Sequence, residues 1–219
     1  MAIPKQIFQT FKTKNLPWLT KYHVWKMRKM NPEYSYNFFD DTMILDFLEN
    51  EYPVEYLKAY KKLTIGAAKA DFFRYAILYK RGGVYLDIDS GVKKSFDKFV
   101  LDSDQAIISC EKNPGYYVQW ALFFNKEHPF LKRTLELVLD NIETHRFPHD
   151  VHSTTGPAAY SMAVNQCISE APNIPHRFMA TDYDNNLLFK YKLGKILLYR
   201  DKSEHWKRKQ KNQPIIIES

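Results

Sequence analysis

Cysteine and long apolar runs are both scarce in this 219-residue chain. Its two cysteines, Cys110 and Cys167, lie far apart and show no metal-ligand spacing. They argue against a disulfide scaffold and fit buried thiols in a reducing compartment. No stretch approaches the ~20 apolar residues needed to cross a bilayer, and residues 1–5 lack the apolar run of a signal peptide. We therefore expect a cytoplasmic protein.

The chain also lacks internal repeats, low-complexity linkers and the signature of any nucleic-acid-binding module. Acidic residues are the minority, and the formal net charge is +7. The basic residues form two clusters: Lys21, Lys26, Arg28 and Lys29, and then Lys202, Lys207, Arg208, Lys209 and Lys211. Such clusters attract phosphorylated substrates or anionic lipid, or they are an ordinary solvated basic face. A nucleic-acid partner is not expected.

Apolar residues are plentiful: 45% of the chain is hydrophobic and 16% is aromatic, so a substantial core is expected. Helical and strand patterns alternate along the chain, which predicts a single α/β domain. The predicted strands are residues 1–10, 34–39, 84–89, 106–109, 117–124 and 195–200. The predicted helices are residues 19–30, 42–50, 55–62, 63–80, 128–141 and 158–169. We expect residues 1–206 to form the domain and residues 207–219 a basic tail.

The most informative segment is residues 63–91. A helix with small residues on one side ends at Gly82-Gly83, which is typical of a left-handed cap. The strand predicted after it alternates strictly, which places Tyr85, Asp87 and Asp89 on one face. Two carboxylates at the carboxyl end of a strand lie where α/β sheets bind ligands. Hard oxygen ligands of this kind suit Mg²⁺ or Mn²⁺, which leave coordination positions for substrate phosphates.

Asp71 and Arg74 lie three residues apart and therefore share one face of the preceding helix. An exposed salt bridge is one interpretation. The small neighbours Ala67 and Ala70 favour another, because they let a ligand or a strand approach closely. A guanidinium at such a place could bind a diphosphate through two hydrogen bonds.

Residues 64–91 resemble the DXD-containing sugar-binding region of glycosyltransferase family 32. The shared features are a helix with Asp71 and Arg74, the Gly82-Gly83 pair, and a strand ending in Asp87-Ile88-Asp89, in that order. The family includes initiation-specific α-1,6-mannosyltransferases and bacterial capsule transferases, and the pattern recurs in large glucosylating toxins. Weaker similarities are Ile3–Thr10, Asn125 with His128-Pro129-Phe130, and Thr155-Gly156-Pro157.

The resemblance implies a GT-A fold: a Rossmann-like mixed sheet flanked by helices. It implies retaining, metal-dependent transfer of a sugar from a UDP- or GDP-sugar to an acceptor hydroxyl, in cell-surface glycan synthesis. Asp87 and Asp89 would hold Mn²⁺ or Mg²⁺ and the ribose, and Asp71 and Arg74 the donor sugar and diphosphate. Glu111 or Asn125 could line the sugar.

Further positions follow from the resemblance. The expected platforms for the base or the sugar are Phe8, Tyr85 and Trp206, each of which could equally be a core residue, and Gln9 lies in the opening strand beside Phe8. The family usually closes with a His followed by Ser-Trp near the metal. Here Trp206 is present, and Glu204 or His205 would supply the remaining metal ligand. His152 is a second candidate near the site.

Two other functions are compatible with the motif. A phosphatase of the haloacid-dehalogenase type would use Asp87 as nucleophile and Asp89 as acid and base, although its strand normally opens the fold. A non-catalytic protein that binds nucleotide-sugars would keep the same residues. A glycoside hydrolase fits less well, because its two carboxyls must flank the sugar from opposite sides. For a transferase, the basic C-terminus suggests a glycan or lipid-linked acceptor and peripheral contact with the inner face of the membrane.

Overall fold

Helices and strands alternate along the computed structural model, which describes residues 2–192, 198 and 206–217. The strands are β1 Gln6–Thr10, β2 Ser35–Phe39, β3 Gly83–Leu86, β4 Gly91–Val92, β5 Ala106–Ser109, β6 Ala121–Phe124, β7 Arg177–Met179 and β8 Leu187–Leu188. The helices are α1 Trp18–Met30, α2 Asp41–Glu51, α3 Val54–Lys62, α4 Gly66–Arg81, α5 Pro129–Glu143, α6 Val151–Thr154, α7 Pro157–Glu170 and α8 Trp206–Asn212. Within the described ranges, no helix is long and apolar enough to cross a bilayer.

Six strands form the main sheet, in the order β2-β1-β3-β6-β5-β7, and β4 pairs with β8 beside it. Strand β6 runs antiparallel to both of its neighbours, and the other pairings in the main sheet are parallel. The carboxyl ends of β1, β3, β5 and β7 therefore meet at one edge, together with the amino end of β6. Ligands of α/β sheets bind at such an edge.

The sheet is covered on both faces by apolar side chains. One core cluster gathers residues of α2, α3, α4, α5 and α7, and the other packs between the sheet and α1. Helix α4 is the most deeply embedded, because every residue from Asp71 to Leu78 is buried. The mixed α/β architecture predicted from the sequence is confirmed.

Gly82 and Gly83 join α4 to β3 at positive φ of 63° and 106°. A Cβ on Gly83 would lie 2.7 Å from the carbonyl oxygen of Gln6, and one on Gly82 would lie 2.7 Å from the backbone nitrogen of Lys126. Only glycine combines this backbone conformation with such close approach. The pair thus fixes how the helix that carries Asp71 enters the strand that leads to Asp87.

Three strand predictions need correction. Strand β3 ends at Leu86, and Asp87 begins a turn closed by a hydrogen bond from Ser90 N to Asp87 O of 2.9 Å. The two aspartates therefore lie on a turn rather than on one strand face. Strand β1 begins at Gln6 rather than residue 1, and β6 begins at Ala121 rather than Tyr117. Most of the strand predicted at 195–200 lies outside the described residues.

Residues 206–217 are not a free tail. Ile215 and Ile216 are buried in the core, and Ile216 forms a β-bridge with Leu63. Thr64 N donates to Ile215 O at 2.9 Å, and Ile215 N donates to Pro148 O at 2.8 Å. The predicted division after residue 206 therefore corresponds to no break in the packing.

Candidate active site

The carboxyl edge of the sheet carries the Asp87–Ser90 turn. Asp87 N donates to the carbonyl of Trp120 at 2.7 Å, and the Ser90 hydroxyl donates to Asp87 O at 2.7 Å. Gln9, on the neighbouring strand β1, donates from its side chain to the same oxygen at 3.2 Å. The turn is thus fixed by both adjacent strands, and the Asp87 side chain remains 26% exposed at the edge.

Arg74 connects helix α4 to this turn. Its Nη2 lies 2.9 Å from Asp87 Oδ1 and 3.1 Å from Asp71 Oδ1, while Nη1 donates to the carbonyl of Gln119 at 2.7 Å. The guanidinium also lies over the Tyr85 ring, 4.7 Å from its centroid. Arg74 is 3% exposed, so its donors are committed to protein groups. In this arrangement the buried guanidinium holds two carboxylates, and the predicted contact of Arg74 with a diphosphate stays a prediction.

Asp71 is held from two further directions. Gln119 Nε2 donates to its Oδ1 at 3.1 Å, and the Thr155 hydroxyl donates to its Oδ2 at 3.1 Å. The Tyr75 hydroxyl ties these partners together, donating to Gln119 Oε1 at 2.8 Å and lying 3.0 Å from Thr155 O. Gln119 was not predicted as a site residue, because the loop before β6 carries no motif. Thr155 belongs to the Thr-Gly-Pro turn that the resemblance had indicated.

Burial governs the electrostatics of this network. It raises the pKa of Asp71 from 3.8 to about 7, with Arg74 opposing the shift and the nearby Asp87 charge adding to it. For Arg74, burial is the largest influence and opposes the charged form, but the interactions with Asp87, Tyr85 and Asp71 together outweigh it and raise the pKa of the guanidinium above its usual value. Asp71 therefore lies near the midpoint of its titration at neutral pH, whereas Arg74 stays charged.

Asp89 is 5% exposed and faces a different cation. Its Oδ2 lies 3.3 Å from the ammonium of Lys190, and its carbonyl accepts from Tyr191 N at 3.0 Å. Burial, followed by the charge of Asp87, raises the pKa of Asp89, while Lys190 lowers it. Lys190 and Tyr191 were not predicted as site residues, since nothing in the sequence relates residues 190–191 to the aspartates a hundred positions earlier.

The two aspartates fit a divalent cation chemically. One carboxylate is open to the edge, the other is buried against a single ammonium, and hard oxygen donors are the ligands that Mg²⁺ and Mn²⁺ prefer. Among the described residues, no group of three His, Cys, Asp or Glu side chains converges on one point. The further ligands predicted, Glu204 and His205, lie outside the described residues.

The three predicted aromatic platforms occupy different places. Phe8 is fully buried and packs against Phe39 at 6.2 Å between ring centroids, so we leave it out of the proposed donor site. Tyr85 is buried and donates its hydroxyl to Asp87 Oδ1 at 3.1 Å, which makes it a support for that carboxylate. Trp206 is partly buried and stacks on His152 at 6.0 Å. Phe11, just beyond the end of β1, is a partly exposed aromatic at the correct edge.

Asn125 lies at the wrong end of the sheet. In the antiparallel pairing of β3 and β6, Leu86 faces Ala121 and Gly83 faces Phe124. Asn125 therefore follows the far end of β6, about 13 Å from the Asp87 end at ~3.3 Å per residue. Glu111, which follows β5 at the same edge as Asp87, is the better placed of the two candidates. Burial, and then the charge of Asp182, raises its pKa.

The chain is similar to known glycosyltransferases in sequence and in fold. Residues 17–108 match the family described as glycosyltransferase sugar-binding region containing DXD motif. The solved PaToxG glycosyltransferase superposes with a TM-score of 0.64 at 19% identity, covering 78% of this chain and 71% of that one. The ligand-free glycosyltransferase domain of the YGT toxin gives a TM-score of 0.59 at 10% identity, covering 83% and 81%. These likenesses show the GT-A fold, and the family match relates residues 17–108 to the sugar-binding region of DXD glycosyltransferases.

The similar proteins of known activity include mannosyltransferases. Inositol phosphoceramide mannosyltransferase 3 of Schizosaccharomyces pombe is 30% identical over 164 residues, which are 74% of this chain and 44% of the relative. The initiation-specific alpha-1,6-mannosyltransferase of Candida albicans is 25% identical over an alignment covering 80% of this chain and 56% of the relative. The chain thus spans about half the length of these proteins. The predicted resemblance to glycosyltransferase family 32 is confirmed, and the chain is similar to its mannosyltransferases.

Proposed function

We propose that this protein transfers a hexose from a nucleoside-diphosphate-sugar to an acceptor hydroxyl, with retention of anomeric configuration. The observation that carries the proposal is the Asp71–Arg74–Asp87 network: a buried guanidinium holds two carboxylates beside an open edge of the sheet. The names of the similar mannosyltransferases support mannose as the sugar. A UDP-bound glycosyltransferase domain is among the structural neighbours, which shows the fold but leaves the nucleotide open.

In the proposed reaction, the bond between the anomeric carbon and the diphosphate oxygen breaks. A bond to the acceptor oxygen forms on the same face of the sugar, and the acceptor proton leaves with the diphosphate. A divalent cation held by Asp87 and Asp89 would offset the charge that builds on the leaving diphosphate. Arg74 and Tyr85 hold the Asp87 carboxylate at the edge, and the buried Asp71 holds Arg74 in place from the helix side. Glu111 lines the same edge.

The network around Asp87 favours this function over a phosphatase, because a phosphatase would give Asp71 and Arg74 no task. Asp87 Oδ1 accepts hydrogen bonds from Arg74 and from the Tyr85 hydroxyl, so the carboxylate is held in place by helix α4 and by strand β3. A non-catalytic nucleotide-sugar-binding protein would keep every contact described above, and only turnover separates it from a transferase.

The test is release of sugar from a panel of UDP- and GDP-sugars by the purified protein with Mn²⁺. We expect one donor to be cleaved, and expect the activity to disappear with chelator and in Asp89→Asn. An aryl phosphate included in the panel should remain intact. Thermal stabilisation by a nucleotide-sugar without any turnover, also after acceptor glycans are added, would instead support the binding protein. The absence of both stabilisation and turnover would contradict a donor site at this edge.

A further inference from the structure

The outer face of α1 is aromatic and exposed. Trp18, Tyr22 and Trp25 are spaced by four and three residues, so they form one stripe, and they are 74%, 49% and 54% exposed. Tyr22 and Trp25 stack on each other at 5.9 Å, and Lys29 continues the stripe with its ammonium 5.1 Å from the Trp25 ring centroid. Large aromatics exposed side by side usually mark an interaction surface.

Cations flank this stripe on both sides. At 100° per residue, Lys21 and Arg28 project to one side of Trp18 and Lys26 to the other. Within the part of the chain that the structure describes, none of these three side chains forms an ion pair, and α1 contains no acidic residue. The excess of positive charge extends beyond the helix. Seven of the 32 Lys and Arg residues precede Glu33, the first acidic residue, so the remaining chain carries equal numbers of each sign.

A cleft of about 780 Å³ opens beside the stripe, between α1 and the edge strand β2. Its walls combine cations with aromatic rings and include Lys14, Lys21, Trp25, Arg28, Tyr34 and Tyr36. The Arg28 guanidinium lies 5.1 Å from the Tyr36 ring centroid. A phosphate group with an attached polar head would find both charge and stacking surfaces here.

The same helix contacts the candidate active site from its inner side. His23 stacks on Tyr191 at 3.8 Å, and the Thr20 hydroxyl lies 2.7 Å from the Tyr191 hydroxyl. Tyr191 N in turn donates to the carbonyl of Asp89 at 3.0 Å. A surface that seats α1 would therefore hold the edge of the sheet that carries Asp87 and Asp89 close to that surface.

We propose that the outer face of α1 docks onto an anionic phospholipid bilayer. Tyrosine and tryptophan side chains are the ones that concentrate at the boundary between headgroups and acyl chains. A helix with such a face and flanking lysines and arginines lies in the plane of that boundary. Each cation near the surface adds to the attraction of anionic headgroups. This docking surface is separate from the basic C-terminal residues and does not depend on the proposed transfer reaction.

The experiment is co-sedimentation of the full chain with phosphatidylcholine vesicles, with or without about 30% phosphatidylserine, at low and at raised salt. We expect binding only to the anionic vesicles, weakening as salt rises. Two variants should each reduce the partition coefficient by about tenfold or more: Trp18→Ser with Trp25→Ser, which removes the aromatic anchors, and Lys21→Glu with Lys29→Glu, which reverses flanking charge. All four side chains are exposed, so unchanged thermal unfolding is the check on folding.

Two matched controls make the result specific. Lys58→Glu with Lys61→Glu makes the same change of charge on α3, which packs on the other face of the sheet, and should leave binding unchanged. Lys207→Glu with Lys209→Glu makes the same change of charge on α8. Loss of binding in the α8 variant but not in the α1 variants would overturn the proposal in favour of the C-terminal helix. Equal binding to neutral and anionic vesicles, or binding that the aromatic substitutions leave unchanged, would also overturn it.

Discussion

A single guanidinium organises the candidate site at the scale of residues. Arg74 divides its hydrogen bonds between Asp71, Asp87 and the carbonyl of Gln119; the guanidinium and Asp71 are buried, while the Asp87 side chain stays 26% exposed. Removing one partner of a buried ion pair costs about 3–5 kcal/mol, because a charge is left unpaired, whereas an exposed pair contributes about 1 kcal/mol or less. The network therefore matters for folding as well as for binding, and substitutions within it must be interpreted through stability measurements.

Replacing Asp71 by Asn tests the electrostatics directly. Burial raises the pKa of Asp71 in the folded protein to about 7, so between its unfolded value and neutrality the folded state holds a proton that the unfolded state lacks. The stability that this proton contributes is fully present below the pKa of Asp71 in the unfolded state. It is lost as the pH rises through the pKa of Asp71 in the folded state. We expect the free energy of unfolding of the wild type, relative to Asp71→Asn, to fall between pH 4 and pH 7. Urea unfolding across that range measures it, and parallel curves for the two proteins would contradict it.

Lys190 competes for the carboxylate assigned to metal. Its ammonium lies 3.3 Å from Asp89 Oδ2, which a divalent cation would have to share or take over. We expect Lys190→Ala to bind Mn²⁺ several-fold more tightly than wild type, because a local positive charge is removed. Titration of Mn²⁺ followed by electron paramagnetic resonance reports the affinity without any turnover. Lys192→Ala, an exposed lysine on the same segment, is the control, and weaker Mn²⁺ binding by Lys190→Ala would contradict the assignment.

At the scale of elements, the α4–Gly82–Gly83–β3 connection decides where the site residues meet. Helix α4 contributes Asp71 and Arg74, and the turn after β3 contributes Asp87 and Asp89. Their separation is therefore set by how sharply the chain reverses at the two glycines. The positive φ of both glycines and the close approach of Gln6 O allow that reversal.

We therefore expect Gly83→Ala to destabilise the folded protein. The new Cβ would meet Gln6 O at 2.7 Å in a backbone conformation that alanine avoids, and we expect a loss of at least about 2 kcal/mol in the free energy of unfolding. Gly66→Ala, at the start of the same helix with nothing within 4 Å of the added Cβ, should be neutral or stabilising by about 0.5–1 kcal/mol. Chemical denaturation of the pair distinguishes local strain from a general effect of replacing glycine.

At the scale of the whole molecule, the C-terminal residues complete the core. Ile215 is fully buried while its near neighbour Ile217 is 48% exposed. We expect Ile215→Ala to cost about 2–5 kcal/mol, because it leaves a cavity, and Ile217→Ala to change stability by less than about 1 kcal/mol. Thermal or urea unfolding of both variants checks this. Equal, small effects would mean that residues 206–217 behave as the tail that the sequence suggested.

The sequence alone was sufficient for the α/β class, for most helices and for the motif that resembles DXD glycosyltransferases. These features depend on local periodicity and on the spacing of Asp71, Arg74, Gly82 and the two aspartates, all of which lie within one short segment. It was also sufficient to propose metal chemistry, because paired carboxylates at a strand end have few other uses. The comparisons support the family and the fold, and the roles of individual residues stay predictions.

The tertiary structure decided what distant segments contribute. Gln119 and Lys190 entered the site because strand order and loop packing brought them to α4 and to Asp89, and no local pattern records such contacts. Phe8 lies in the core and Asn125 at the far end of the sheet, which the sequence alone did not determine, because burial and strand direction depend on the neighbours in the sheet. Composition suggested that residues 207–219 are a basic tail. Ile215 and Ile216 nevertheless bury apolar area in the core, which is favourable, while Lys207 and Lys211 before them stay exposed to water.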